Sequence, residues 1–155
     1  MSIVSLVKGC PLFHEIYENE INIILKDCFV ATFEKGDKII NQGDESTDIC
    51  ILLSGKADIT INKDEIETHI LSIGEGDLFG ELVLINETKR TANIVATRRC
   101  DVLVMSDVGF YSLFKKKPEV FALMVLNLAR LVTKRLKKSN KIIESIKQKL
   151  EKNAA

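Results

Sequence analysis

The sequence predicts a mainly β protein with flanking helices: an antiparallel jelly-roll barrel, or double-stranded β-helix, with short helices before it and one long helix after it. Three observations predict this class. Between residues 29 and 105 the chain divides into short β-type runs, VATF, DKII, ICILL, ADITI, THILSI, NIVAT and DVLVM. The turn signals KGD, NQGDEST, LSGK, NKDE and GEGD separate those runs, and many short, closely spaced strands broken by glycine mark an antiparallel sandwich or barrel. On both sides of this region the apolar period lengthens from two toward 3.6.

Taken in order, Leu12, Ile16, Ile21, Ile24 and Leu25 recur at broadly helical intervals, which predicts short helices ahead of the barrel. Within the barrel, Gly36, Gly43, Gly55, Gly74 and Gly76 stand where the chain must reverse. Helical spacing returns after Asp107 in GFYSLFKKK, and from Pro118 onward no further glycine or proline occurs. Proline suits a first helical turn, and Glu119 suits the positive end of the helix dipole. Along this helix Val125, Ala129, Val132, Leu136, Ser139, Ile143, Ile146 and Leu150 follow steps of four and three, a heptad seam with one polar position. From Pro118 to Leu150 it would extend roughly 50 Å at 1.5 Å per residue, more than a small barrel needs as cover. The excess predicts a partner helix, most economically a second copy of the chain. A helix packed only on its own barrel accounts for residues 121–132 but poorly for 143–150. The predicted division is a barrel domain with its N-terminal helices over 1–117 and the long helix with its tail over 118–155.

At 155 residues the chain fits one globular domain, with 46% apolar and 28% charged residues. No apolar run approaches the ~20 residues needed to span a bilayer. The opening MSIVSLVKGCPLF lacks a basic region ahead of a long apolar one, so it does not read as a secretory signal, and a cytoplasmic location is the default expectation. Cys10, Cys28, Cys50 and Cys100 are scattered singly, with no C-x-x-C pair and no histidine in zinc-ligand spacing; they read as inert thiols rather than metal ligands. A metal-dependent enzyme on such a barrel would gather several His and carboxylate ligands, whereas only His69 falls among the strands. His14 and His69 lie on different kinds of segment and read as ordinary residues. Net charge is zero, yet residues 130–155 hold nine Lys or Arg against Glu144 and Glu151, making that tail +7 and the remainder −7. Such a tail could touch nucleic-acid phosphates, but without interleaved aromatic residues it reads as a solvated face.

The stretch FGELVLINETKRTANIVA, residues 79–96, interrupts the alternation. Gly80-Glu81 opens an apolar turn over 82–85 that can form one or two turns of helix. Unpaired N–H groups at a helix start, with a glycine that lets an anion approach, make Gly80, Glu81, Leu82 and Val83 a phosphate seat. Arg90, after the loop INETK, supplies the countercharge and can meet two phosphate oxygens at once. Thr91 adds a hydroxyl and a backbone N–H. Glu81 repels phosphate, so its use is to accept hydrogen bonds from a sugar hydroxyl. One anion site beside one diol site describes a ribose phosphate; the alternative is a plain surface ion pair between Arg90 and Glu81.

FGELVLINETKRTA resembles the phosphate-binding cassette of cyclic nucleotide-binding domains, as found in the catabolite activator family, protein kinase A regulatory subunits and cyclic-nucleotide-regulated channels. FEKGDKIINQGDESTDICILLSGKADI is similar to that family's first barrel strands and GCPLFHEI to the short helix before them. KPEVFALMVLNLARLVTKRL is similar to the long C-terminal helix that covers the pocket and often dimerises, so the resemblance spans about residues 8–138. It implies a cassette helix in the barrel, no catalytic residue, no metal and no cofactor beyond the ligand, cAMP or cGMP. Carried over by position, Phe79 opens the motif, Gly80, Glu81, Leu82 and Val83 wrap the cyclic phosphate and ribose with Glu81 on the 2′-hydroxyl, Arg90 holds the phosphate, and Thr91 and Ala92 complete the cradle. Ile70, on the strand running to Ile73, is expected to line the base pocket. On the lid helix, among Arg130, Leu131, Lys134 and Arg135, Arg135 is the first candidate to stack on or hydrogen-bond the base. Two departures stand out: Val83 replaces a usually smaller residue and could narrow the seat, and Lys89 stands where many members have proline and could add positive charge. Thr91 beside Arg90 is compatible with either base.

The implied function is a non-enzymatic regulatory sensor whose output is movement of the C-terminal helix, acting as a homodimer, on no membrane and with no expected nucleic-acid contact. One alternative is the sensor part of an activator-type transcription regulator, whose helix-turn-helix has no counterpart here because the chain ends about one turn after Leu150. Another is a dimerising scaffold with a vestigial pocket, against which the intact Glu81 and Arg90 stand.

Overall fold

The structure is a computed structural model that describes residues 2–84 and 89–155. Helix α1, Ile3–Lys8, starts on Ser2, whose Oγ accepts from the Ser5 N–H. A 3-10 turn, Pro11–Phe13, leads to helix α2, Glu18–Leu25, whose Glu20 carboxylate accepts the Tyr17 N–H and closes the first turn. Eight strands follow: β1 Cys28–Phe33, β2 Lys38–Ile40, β3 Ile49–Ser54, β4 Ala57–Lys63, β5 Ile66–Ile73, β6 Leu78–Phe79, β7 Asn93–Ala96 and β8 Cys100–Met105. Helix α3, Asp107–Lys116, is capped by Ser106 Oγ on the Gly109 N–H at 3.0 Å, and helix α4 runs from Pro118 to Ala154 with proline in its first turn.

The strands form two four-stranded antiparallel sheets in the orders β1-β8-β3-β6 and β2-β7-β4-β5, the jelly-roll arrangement that the sequence predicts. One strand was not legible: β6 holds two residues, too few to show a period. The run ICILL also departs from simple alternation, because all five residues are buried. Cys50 and Leu52 face the barrel interior with Val102, Val104, Phe79 and Ile94. Ile49, Ile51 and Leu53 face outward under the helices, with Phe13, Ile21, Phe110 and Met124. A strand buried on both faces reads as a continuous apolar run, so β3 belongs to two cores at once.

Helix α4 joins the outer core through Val120, Met124 and Leu128, while Phe110 of α3 packs on Phe121 with ring centroids 5.2 Å apart. The heptad seam lies on other faces of the helix. Val125, Ala129, Val132, Leu136, Ile143, Ile146 and Leu150 are all exposed, while the segment 121–132 covers the barrel through other residues, Met124 and Leu128 among them. Among the described residues no helix is long and apolar enough to cross a membrane.

Candidate functional site

The site forms where the chain crosses from one sheet to the other. β6 pairs with β3 through Cys50↔Phe79 and Ile51↔Leu78, then leaves the sheet at Gly80. A 3-10 turn, Glu81–Leu84, follows, and the chain re-enters the second sheet at β7, between β2 and β4. The expected helical turn over 82–85 is thus a tighter 3-10 turn that starts one residue earlier; Ile85 and the loop to residue 88 lie outside the described residues, as do the side chains of Leu82 and Val83, so the expected narrowing by Val83 does too.

Arg90 ties the two sides of this crossing together. Its Nη1 donates to the Gly80 carbonyl at 3.0 Å, and its Nη2 donates to the Asp48 carbonyl at 2.6 Å and to Ser46 Oγ at 3.1 Å. The backbone is pinned as well, with the Arg90 N–H on the Asp44 carbonyl and the Gly43 N–H on the Arg90 carbonyl, both at 2.8 Å. Arg90 is only 6% exposed, its Nε has no hydrogen-bond partner, and among the described residues it makes no ion pair with a carboxylate. A buried cation whose partners are all neutral carries an uncompensated charge, which costs free energy unless an anion meets it.

The expected surface ion pair between Arg90 and Glu81 does not form. Glu81 is buried and pairs instead with Arg135, one end of whose guanidinium reaches in from α4. Phe79, Gly80, Glu81, Arg90, Thr91, Ala92 and Arg135 thus converge on one cavity of about 140 Å³, with Lys89 at its rim. Ile70 does not line it. The β4–β5 pairing shifts between Ile59↔Leu71 and Thr60↔His69, leaving Ile70 as the extra residue of a bulge, 52% exposed, while Ile59 together with Ile40 and Ile94 forms the apolar wall. Arg130, Leu131 and Lys134 likewise turn away from this cavity and line another, against the N-terminal segment.

Sequence reasoning also missed the groups that hold the site. Ser46 acts through a hydroxyl in a turn, but Asp48 acts through its backbone carbonyl, which leaves no side-chain signature. Tyr111 of α3 donates its hydroxyl to the Leu84 carbonyl at the end of the 3-10 turn, connecting the cassette to α3 and, through Phe110 and Phe121, to α4. The four thiols take no part: all are free, and burial pushes those of Cys28 and Cys50 up to about 12. Among the described residues no group of three His, Cys, Asp or Glu is placed to hold a metal ion.

Comparison with known proteins bears on this geometry. The family model described as cyclic nucleotide-binding domain matches residues 30–117. The cyclic AMP receptor protein of Thermus thermophilus is 29% identical over 135 residues, 86% of this chain and 61% of that protein. The cAMP-dependent protein kinase type II regulatory subunit of Drosophila melanogaster is 29% identical over 104 residues, 66% of this chain and 27% of that one. The chain thus spans less than two thirds of the length of these curated relatives. A cyclic nucleotide-binding domain from Methylobacillus flagellatus superposes with a TM-score of 0.81 at 22% identity, covering 91% of this chain and 80% of that one, a likeness of fold.

Proposed function

The chain belongs to the cyclic nucleotide-binding domain family, and from that premise we propose that it is a regulatory sensor that binds a 3′,5′-cyclic nucleotide, cAMP or cGMP, and signals through α4. The observation that carries the proposal is Arg90: a buried guanidinium with no carboxylate partner among the described residues, facing a glycine and the edge of an apolar cavity. The cyclic phosphate would take Arg90, with Gly80, Leu82, Val83, Thr91 and Ala92 around it, and the ribose hydroxyl would take Glu81. Ile59, Ile40 and Ile94 offer apolar surface to the base.

In this proposal Arg135 is the moving part. The cavity of about 140 Å³ is well below the ~300–1,000 Å³ usual for ligand pockets, and Arg135 occupies the carboxylate that the ribose would use. Nucleotide entry therefore requires the Arg135–Glu81 pair to open and α4 to shift, after which Arg135 is placed to cover the base. The ligand drives α4 only by as much as it prefers the shifted state: moving a population from 1:99 to 99:1 needs about 5.5 kcal/mol of preference. Leu84, Tyr111, Phe110 and Phe121 form the contact path from cassette to helix. Residues 1–117 act as the sensor and 118–155 as lid and dimerisation helix, with the exposed heptad seam pairing two copies in the cytoplasm. No residue of this site is assigned a catalytic role. The 61% coverage of the Thermus thermophilus protein also fits a sensor that forms part of a longer regulator.

Calorimetric titration with cAMP and with cGMP tests the proposal. Saturable binding of one or both is expected, weakened at least about a hundredfold in Arg90→Ala, since two charge-assisted hydrogen bonds of about 1.5–3 kcal/mol each are lost. Absence of heat with either nucleotide at millimolar concentration, or unchanged affinity in Arg90→Ala, would sink it.

A further inference from the structure

A second cavity, of about 320 Å³, lies between α4 and the segment joining α1 to the 3-10 turn at Pro11, and shares no lining residue with the cavity that Arg135 enters. Its charged lining is cationic, Lys8 from the N-terminal segment and Arg130 and Lys134 from α4, with His14 and Asn127 as further polar groups and Pro11 and Leu131 as apolar surface. None of its described lining residues is a carboxylate. The nearest acids bind outside it, Glu18 to Lys8 at 3.6 Å and Glu15 to His14 at 3.8 Å. Among the described residues, Arg130 and Lys134 make no ion pair at all.

The wall that carries Arg130 is also preorganised. Asn127 is 1% exposed; its Nδ2 donates to the carbonyls of Leu12 at 3.0 Å and His14 at 2.8 Å, and its Oδ1 accepts from Arg130 Nη1 at 3.1 Å. One bond thus fixes the guanidinium at the cavity's edge and leaves its other N–H groups open. A planar cation held in place beside two flexible ones is an arrangement suited to phosphate oxygens, with bidentate recognition by arginine and point charges from lysine.

We propose that this cavity is a second binding site, for a small phosphate-bearing anion, independent of the nucleotide site. Its volume suits a small organic phosphate rather than a polymer. Occupancy ties α4 to the N-terminal segment, so it acts on the same helix whose next residue, Arg135, reaches the other cavity.

The test uses the whole chain and inorganic pyrophosphate as probe, titrated calorimetrically at low ionic strength. One saturable site is expected, weakened about tenfold in Lys134→Gln and further in the double variant Lys134→Gln with Arg130→Gln, since each removes a charged contact. Affinity is expected to be unchanged in the tail variant Lys147→Gln with Lys149→Gln. Among the described residues the Lys134 side chain makes no hydrogen bond or ion pair, so its variant reports binding without a folding defect. The proposal is overturned by no saturable heat up to about 10 mM, by unchanged affinity in Lys134→Gln and in the double variant, or by an equal loss in the tail variant, which would show charge without a site.

Discussion

Gly80→Ala probes how closely the backbone and Arg90 are fitted at the site. Gly80 has φ +78°, a conformation in which an L side chain costs about 1–2 kcal/mol. A Cβ built there would lie 2.7 Å from Arg90 Nη1 and 3.0 Å from the Asp48 carbonyl oxygen. The carbonyl belongs to the backbone and cannot retreat, so Arg90 must, losing its bond to the Gly80 carbonyl at about 1.5–3 kcal/mol. Together these predict a destabilisation of about 2.5–5 kcal/mol. Gly36→Ala is the control, because Gly36 has φ +94° but nothing within 4 Å of the added carbon; only the conformational cost of about 1–2 kcal/mol applies there. Urea unfolding followed by far-ultraviolet circular dichroism suits a chain with no tryptophan. If the two variants differ by less than about 0.5 kcal/mol, beyond which such extrapolations resolve a difference, the fitted contact between Gly80 and Arg90 is wrong.

Other outcomes follow from the same structure. Asn127→Leu strands the Leu12 and His14 carbonyls and is expected to cost about 2–4 kcal/mol, read by thermal unfolding; a neutral result would mean that α4 is not held there. Ile143 and Ile146 are 62% and 52% exposed, so replacing both by lysine is expected to weaken self-association in sedimentation about tenfold or more while leaving the unfolding of the barrel unchanged. Equal association of variant and parent would remove the heptad seam as an interface. The Cys50 thiol, raised by burial from 9.0 to about 12, binds its proton more tightly folded than unfolded. Its contribution to stability is therefore complete below pH 9 and lost as pH rises toward about 12. Cys50→Ala should show a shallower decline of stability over that interval, and parallel pH profiles would contradict the burial.

Much of the site was legible because its chemistry depends on residue types in a fixed order. In the proposed reading a glycine admits close approach, an acid beside it cannot serve a phosphate, and an arginine nine residues after that acid returns as countercharge. Phe79 to Glu81 and Arg90 to Ala92 do line one cavity. Three features escaped. Ile70 follows the strand's period, yet a bulge sends it outward and leaves Ile59 on the wall; a one-residue shift in register reverses a strand's faces, and local composition does not encode it. Asp48 supports Arg90 through a main-chain oxygen, which any residue would offer. Glu81 was matched to Arg90 as the plain alternative, whereas its partner Arg135 lies 54 residues away.

By itself, then, the sequence determined the succession of strands and helices apart from the two-residue β6, the turns between them, the order of polar groups over residues 79–92 and the apolar seam along α4. These depend on periodicity and on what each residue type permits locally. Only the tertiary structure decided how α4 is rotated on the barrel, because that depends on which faces bury best against Phe110, Phe13 and the outer side of β3. That rotation sends Arg135 to Glu81, turns Arg130 and Lys134 toward the N-terminal segment, and leaves the heptad seam in solvent. A helix's sequence specifies which residues share a face; the shape of the core it meets selects the neighbour each face receives.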